Sequence, residues 1–550
     1  MKLLSFKPAG ILGIHDPSAC IFNGKKIIGV EEERFIRLKH ADSIFPINSI
    51  NYCLKQSNLN LGDIDEILIP YNPKDIPINN IKNIFIRFFF LSPNRVRKLI
   101  KKELTLFFGK QQTPLIKFMN HHLCHASSAF YPSGFKQAIA IAIDGKGPRY
   151  STTVWLCNQD GLKLIKFYEG NNSLGHLYGA FTEFLGFRSF NGECKTMALA
   201  AYGSPVYYEK LCELMDPYKY DVRIFSGVKN PNTIQKIEQF LKIKRRLKDE
   251  PITEEMKDVA ASIQEFLEIA VKHIVKGAIE QTGIREVCLS GGVALNCKMN
   301  KTIRELPQVK KLFIQPVAHD AGLPIGAILR RCKELGEKLN FNMNVYLGPS
   351  YSDSQIENTL KETKLSFKKI NNPAKIGAKL IAEGKIVGWF QGRLEMGPRA
   401  LGNRSILADP RIPDMSDKVN FYVKHREPWR PFAPSILEEH AKEYFKNYVP
   451  SPYMIDSFDV FPEKQKDLVA VIHSVDKTVR PQTVTKEQNP LYYQLIDEFY
   501  KLTGVPVILN TSFNDHGEPI VNNPKQTIKF FLGSGMDVLI IGNYLLEKVY

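Results

Sequence analysis

Between Met256 and Ile279 the apolar positions Met256, Val259, Ala260, Ile263, Phe266, Leu267, Ala270, Val271, Ile274, Ala278 and Ile279 recur at steps of three and four. That spacing lines one face of a helix and predicts a long one there. A short apolar run, EVCLS (286–290), follows and reads as a strand. AIAIAID (138–144) has no polar alternation, so it predicts a strand buried on both faces that delivers Asp144 into the glycine-bearing loop GKGPRYSTT. EVCLS leads into the paired glycines of GGVALN, and KLFIQ (311–315) leads into PVAHDAGLPIGAIL, where glycines punctuate a loop before a small-residue helix. At the start of the chain ILGI, CIFNG and KKIIGVEEE read as short strands, with HDPSA as the turn of a hairpin.

The segment 336–350, GEKLNFNMNVYLGPS, breaks this pattern with polar residues, two glycines and a proline. A helix at SDSQIENTLKE and strands at KIVGWF, PVILN and DVLII then follow, which predicts a second α/β unit. The expected division is 1–343 and 344–550, and a chain of 550 residues is too long for one core.

Composition adds little to the fold: 44% hydrophobic and 24% charged residues are those of a globular protein, with no repeat period. No apolar run approaches the ~20 residues that span a bilayer. MKLLSFKPAGILG lacks the apolar core and cleavage site of a signal peptide. The nine cysteines are scattered singly with no CxxC pair, which fits the reducing cytoplasm. The net charge of +17 is spread along the chain, and its one dense stretch is Ile81 to Lys110, where basic residues interleave with Phe85, Phe88, Phe89, Phe90, Phe107 and Phe108. Two readings stand for it: helices that pack an aromatic face on the body and solvate a basic one, or peripheral docking to a membrane surface or an acidic acceptor.

Three clusters carry chemistry. In HHLCH, His121 and His125 stand four residues apart on one helical face, with His122 off it. Neutral imidazoles suit Fe, Zn, Mn or Ni, and Asp144 and Asp320, each in a loop after an apolar strand, could complete a mixed nitrogen and oxygen shell. The bland alternative is that the histidines satisfy a core and the aspartates turn the chain. In LSGGVALN, Gly291 and Gly292 let the backbone approach a ligand closely, so a nucleotide contact running to Asn296 stands beside a tight structural turn. The third cluster is cationic: Arg393, Arg399, Arg404 and Arg411 among glycines, then Lys424, Arg426 and Arg430. Such density asks for an anion, because guanidinium binds phosphate bidentately, and Arg480, Asn510, Thr511, Ser512 and Asn514 could complete a pocket.

The chain resembles the O-carbamoyltransferases of the nodulation and antibiotic-tailoring type nearly end to end. HDPSA, EEERFIRLKH, HHLCHASSAFYPSGF, SLGHLYGAFTEFLGF, LSGGVALN, DAGLPIGA, GRLEMGPRALGNRSILADPR, KHREPWRPFAPSIL and LNTSFNDHGEPIV appear in that family's order. The resemblance implies a mixed α/β chain whose N-terminal domain is Kae1-like, of the actin and sugar-kinase superfold, and whose C-terminal domain is YrdC-like. It implies that carbamoyl phosphate and ATP, with Mg2+, form carbamoyladenylate in the second domain, and that the first passes the carbamoyl group to a hydroxyl. Carried over, His121, His125, Asp144 and Asp320 match the ligands of Fe2+ or another divalent metal. Arg399, Lys424, Arg480 and Asn510 match the carbamoyl-phosphate pocket, and His15 stands where a general base would face the acceptor. Cys194, His319 and the stretch 146–149 depart from the family pattern and bear on specificity. The acceptor expected is a glycan or small-molecule hydroxyl rather than nucleic acid, in a homodimer. The alternative is a tRNA threonylcarbamoyladenosine-type modification protein, whose chemistry is related.

Overall fold

The computed structural model describes residues 1–77, 92–225, 227–337 and 343–548. The fold is mixed α/β, and the chain divides into two compact units. The first holds Met1–Glu32 and Asp42–Met343, the second Glu33–Ala41 and Asn344–Tyr550.

Two five-stranded sheets build the first unit. One joins β1 (Leu3–Phe6), β2 (Ser18–Phe22), β3 (Ile27–Glu31), β4 (Glu66–Ile69) and β5 (Leu115–Phe118) in the order β3-β2-β1-β4-β5. The other joins β6 (Ala138–Ile143), β7 (Tyr150–Asn158), β8 (Gly161–Glu169), β9 (Glu286–Ser290) and β10 (Lys311–Ile314) in the order β8-β7-β6-β9-β10. The two orders are the same path walked twice. In each sheet the first three strands pair antiparallel, and the fourth and fifth add parallel to the first. A duplicated architecture therefore stands where the sequence shows no repeat, because strand order and burial have been kept without the residues themselves.

β6 is the apolar run AIAIAI, fully buried between β7 and β9, as a central strand covered on both faces must be. The long helix spans Glu254–Thr282. Thr253 caps it by accepting from the Met256 amide, Glu254 and Glu255 complement the dipole of its first turn, and Gly283 ends it at φ 72°. Its buried stripe includes Phe266 and Leu267, each contributing roughly 1.5–3 kcal/mol by leaving water.

The expectation of a strand at ILGI is corrected. The strand is β1, and 8–16 is a loop in which Gly10 and Gly13 hold φ of 86° and 78° and Ile14 is exposed. Four apolar residues imitate a strand, but a left-handed backbone on either side of Leu12 cannot pleat. Ile81 to Leu91 of the basic aromatic stretch lies outside the described residues. The helix Pro93–Phe108 packs an aliphatic face, Val96, Ile100 and Leu104, on the body, while Phe107 is exposed.

The second unit is built on one eight-stranded sheet, β11 (Lys368–Lys369), β20 (Tyr544–Glu547), β19 (Val538–Ile541), β12 (Val387–Phe390), β13 (Arg404–Ala408), β18 (Val507–Ser512), β14 (Ala433–Leu437) and β17 (Gln482–Val484), in that spatial order. β15 (Phe458–Asp459) and β16 (Thr478–Val479) pair separately. The pleat sends Val387 and Trp389 of β12 into one core cluster and Phe390 into the other, so the sheet is covered on both faces. Among the described residues no helix is long and apolar enough to cross a membrane.

Candidate active site

The helix His121–Phe130 starts where the Asn120 side chain accepts from the Leu123 amide at 2.9 Å. That start sets His121 and His125 one turn apart on one face. Asp144 leaves the end of β6, and Asp320 opens a short turn after β10. His121 Nε2 lies 3.3 Å from Asp144 Oδ2 and 3.6 Å from Asp320 Oδ1; His125 Nε2 lies 3.9 and 3.3 Å from the same atoms. One ligand atom from each of the four falls within 4.8 Å of all the others, and all four residues are buried. Glycine makes the approach possible: a Cβ on Gly147 would sit 2.7 Å from His122 Cε1 and 2.8 Å from His121 Cδ2.

Burial opposes ionisation of both aspartates. The His121 hydrogen bond and both imidazoles nevertheless hold Asp144 well below the usual carboxylate range, and Lys7 with the same imidazoles does so for Asp320. His122, off the shared face, is pushed down to about 3 by burial and then by the neighbouring imidazoles. Both His125 nitrogens, His121 Nδ1 and Asp320 Oδ1 have no hydrogen-bond partner. Each buried polar atom left so costs about 1–3 kcal/mol. Two imidazoles and two carboxylates converging on one point are the donor set of a divalent transition metal, and the residues fit one.

Lys7, His176 and Phe190 belong to this region and were not read from the sequence as functional. Lys7 is 2% exposed; its ammonium donates to Asp320 Oδ2 and, at 2.5 Å, to the His15 carbonyl. His15 Nδ1 stands 2.9 Å from Asp16 Oδ2, and its side chain is 32% exposed. Burial and Lys7 pull the His15 pKa down, but the hydrogen bond to Asp16 and the charges of Asp16 and Asp320 outweigh them and raise it above 6.5. The His15 ring packs on Phe190 at 5.2 Å, and His176, pushed down to about 4 by burial, meets Phe190 edge-on at 6.4 Å. Phe190 holds φ 63°, an outlier for a bulky residue, with its amide fixed by Glu193 Oε1 at 2.6 Å. The SLGHLYG motif contained His176, but nothing in its spacing separated it from a core histidine.

In LSGGVALN the Gly292 amide donates to Asp144 Oδ1 at 3.3 Å, and a Cβ on Gly291 would sit 2.2 Å from the Ile143 carbonyl oxygen, so both glycines pack closely against Asp144 and its strand. Asn296 caps the helix Cys297–Arg304 through the Met299 amide and exchanges hydrogen bonds with Gln264.

In the second unit, Lys424 follows a π-turn at Val419–Val423, a distortion that re-aims the next side chain. It is 4% exposed, and its ammonium donates to the carbonyls of Ser512 (2.8 Å) and Asn514 (2.6 Å) and to Asn514 Oδ1 (3.0 Å), with Ser512 Oγ at 3.4 Å. None of these oxygens is charged. Burial, then Arg426 and Arg430, hold its pKa well below 10.5. Asn510 is held through its Nδ2 by Ser435 Oγ, Gln482 Oε1 and the Ala400 carbonyl, next to Arg399. Asn510 Oδ1 and Arg480 Nε are buried with no hydrogen-bond partner.

Other cations of the third cluster are spent on the fold. Arg404, which the sequence groups with the anion pocket, is fully buried, stacked 3.6 Å over Phe390, and donates to the carbonyls of Gln391, Asn403, Pro349 and Gly392. Arg393 donates to the carbonyls of Tyr346 and Leu347, and Arg411 is forked onto Asp409. The density of arginine was thus partly structural.

Residues 7–329 match the family model described as Carbamoyltransferase N-terminus, and residues 378–548 match Carbamoyltransferase C-terminus. The nodulation protein NolNO of Sinorhizobium fredii is 38% identical over 97% of this chain and 79% of its own. The nodulation protein NolO of Bradyrhizobium diazoefficiens is 39% identical, covering 78% of this chain and 79% of its own. Among solved structures, T. kodakarensis HypF is similar over 61% of this chain and 48% of its own, at 14% identity and a TM-score of 0.34.

Proposed function

The chain belongs to the carbamoyltransferase family, and from that premise we propose that it carbamoylates a hydroxyl in two ATP-dependent steps, one in residues 344–550 and one in 1–343. The observation that carries the reading is a pair of buried, incompletely satisfied sites of opposite charge, carboxylates and imidazoles in one and cations facing neutral oxygens in the other.

In the second unit, Arg399, Lys424, Arg480 and Asn510 bind carbamoyl phosphate, with guanidinium and ammonium on its phosphate and the Asn510 amide oxygen toward its carbamoyl NH2. Water hydrolyses carbamoyl phosphate, taking up its phosphoryl group as inorganic phosphate and leaving carbamate, whose oxygen attacks the α-phosphorus of ATP, held with Mg2+, to give carbamoyladenylate and pyrophosphate. Ser512 and Asn514 orient Lys424 for this step through the hydrogen bonds described above. The activation is needed because carbamate is a poor acyl donor and AMP is a good leaving group.

In the first unit the acceptor hydroxyl adds to the carbamoyl carbon, the bond to AMP breaks with its electron pair, and His15 takes the hydroxyl proton. A neutral imidazole beside an ionised Asp16 is suited to that role. A divalent cation, Fe2+ or a neighbour with the same preference for nitrogen and oxygen donors, held by His121, His125, Asp144 and Asp320, would supply positive charge to the donor's oxygens. The acceptor is a hydroxyl of a sugar or a secondary metabolite.

The test needs no acceptor. Purified protein with ATP, Mg2+ and carbamoyl phosphate should release pyrophosphate, and AMP as the adenylate hydrolyses, and neither should form when carbamoyl phosphate is omitted or Arg399→Ala is used. Absence of pyrophosphate from the unaltered protein would sink the assignment of the second unit.

A further inference from the structure

The two halves of the first unit place equivalent residues around one point. Lys7 directly follows β1 as Asp144 directly follows β6, and His121 opens the helical segment after β5 as Asp320 opens the one after β10. The contacts cross between the halves: Lys7 of the first binds Asp320 of the second, and Asp144 of the second binds His121 of the first at 3.3 Å. Lys7 is therefore the fifth member of the centre by topology, standing where a second Asp144 would stand. Its ammonium takes Oδ2 of Asp320, and the other oxygen, Oδ1, is the one turned to His125 at 3.3 Å and His121 at 3.6 Å, with no hydrogen-bond partner. The same ammonium grips the His15 carbonyl, and the loop closes over its stem, since a Cβ on Gly13 would lie 3.1 Å from Lys7 Cε.

We propose that Lys7 is a positioning residue of the metal centre: it occupies one oxygen of Asp320 so that the other is presented to the cation, and it sets the His15 backbone relative to that cation. The inference rests on the metal centre proposed above. A buried lysine that merely plugged a charged cavity would need no particular oxygen of Asp320 and would leave metal affinity to the four ligands. A partner that fixes a ligating carboxylate behaves otherwise, and removing one typically weakens metal binding by about 10–100-fold.

The experiment uses the full chain stripped of metal and titrated with Mn2+, read by calorimetry and by the electron paramagnetic resonance spectrum of the bound ion. Lys7→Met should raise the Kd for Mn2+ by about 10–100-fold and alter the spectrum, and Lys7→Arg, which restores a charged donor, should recover most of both. If Lys7→Met does not fold without metal, the Mn2+ concentration that restores its near-ultraviolet circular dichroism reads the same affinity. Wild-type affinity and spectrum in Lys7→Met would overturn the proposal, and so would equal weakening in Lys7→Met and Lys7→Arg. An unaltered chain that binds no Mn2+ would remove the metal centre and Lys7's role with it. Because the titration contains neither ATP nor carbamoyl phosphate, failure of pyrophosphate release in the second unit leaves its result standing.

Discussion

The centre in the first unit gathers two carboxylates and two imidazoles beside one ammonium, whereas the pocket in the second sets an ammonium among neutral oxygens with arginines nearby. Each leaves buried atoms unsatisfied: both His125 nitrogens and Asp320 Oδ1 in one, Arg480 Nε together with the amide oxygen of Asn510 in the other. At other points charges close on one another, as where Arg331 forks onto Glu66 or Arg411 onto Asp409. The difference teaches how to separate a site from a solvated or structural charge: a buried ion pair that is complete needs no ligand, while an incomplete one names the charge of the ligand it awaits.

The strongest way to break this comparison is to remove one charge from the first centre and see whether both chemistries stop. Asp144→Asn keeps shape and removes charge, so metal binding should fail and carbamoyl transfer should fall by about three orders of magnitude or more, the value of several kcal/mol of lost charge stabilisation. A chelator selective for transition metals over Mg2+ should do the same, reversibly. Pyrophosphate release from carbamoyl phosphate and ATP should continue, and its loss in Asp144→Asn would mean that the two sites do not act separately. The converse change, Asn510→Asp, puts a carboxylate among the cations that face phosphate. Pyrophosphate release should drop by about 10²–10³-fold, as when one preorganised electrostatic contact is lost, while Mn2+ binding to the first unit stays at its original Kd.

Features expressed within a few residues were legible in the sequence. The His121/His125 spacing, the buried AIAIAI run ahead of Asp144 and the stripe of the long helix each follow from one periodicity, and the structure contains them all. The motif order that suggested a carbamoyltransferase is likewise matched by family models at both ends of the chain. Lys7 was invisible because its partner lies 313 residues away and a lysine after a strand resembles any solvated lysine. The doubled sheet was hidden because topology survives where sequence does not. The structural partners of Arg404 and Asn296 were hidden too: the carbonyls that the one meets and the helix end that the other caps come into view only in the fold.

A smaller effect sharpens the contrast through protons. The Lys424 pKa lies well below 10.5 because the side chain is buried and Arg426 and Arg430 stand near it, so a bound anion must raise it. Binding of inorganic phosphate or carbamoyl phosphate to the second unit should therefore take up protons in the pH range through which Lys424 titrates. Calorimetry in buffers of different ionisation enthalpy measures it, and Lys424→Met should abolish the uptake. Proton release on binding would contradict the assignment of Lys424 to the anion.

The smallest predicted change concerns His15, where activity and stability should respond to pH with opposite signs. As a base it must be neutral, and its pKa is raised above 6.5, so transfer should be lost as pH falls through that raised value. Asp16 supplies the hydrogen bond and much of the charge responsible, and it sits at φ 56°, a conformation asparagine tolerates well, so Asp16→Asn changes charge with little backbone cost. With only burial and Lys7 left to dominate, both of which lower the pKa, the acid limb of kcat/KM for transfer should move to lower pH. The shift expected is about one unit, the low end for loss of a neighbouring charge, because the side chain is 32% exposed. Stability runs the other way. A histidine whose folded pKa exceeds its unfolded value stabilises the fold fully below about pH 6.5 and loses that contribution as pH rises through the folded value. The Tm difference between the unaltered protein and Asp16→Asn should thus be widest in mild acid and shrink as pH rises through the raised folded value, over the same interval in which transfer gains rate. An acid limb that does not move in Asp16→Asn would take His15 out of the proton transfer and leave it as a wall of the pocket beside Phe190.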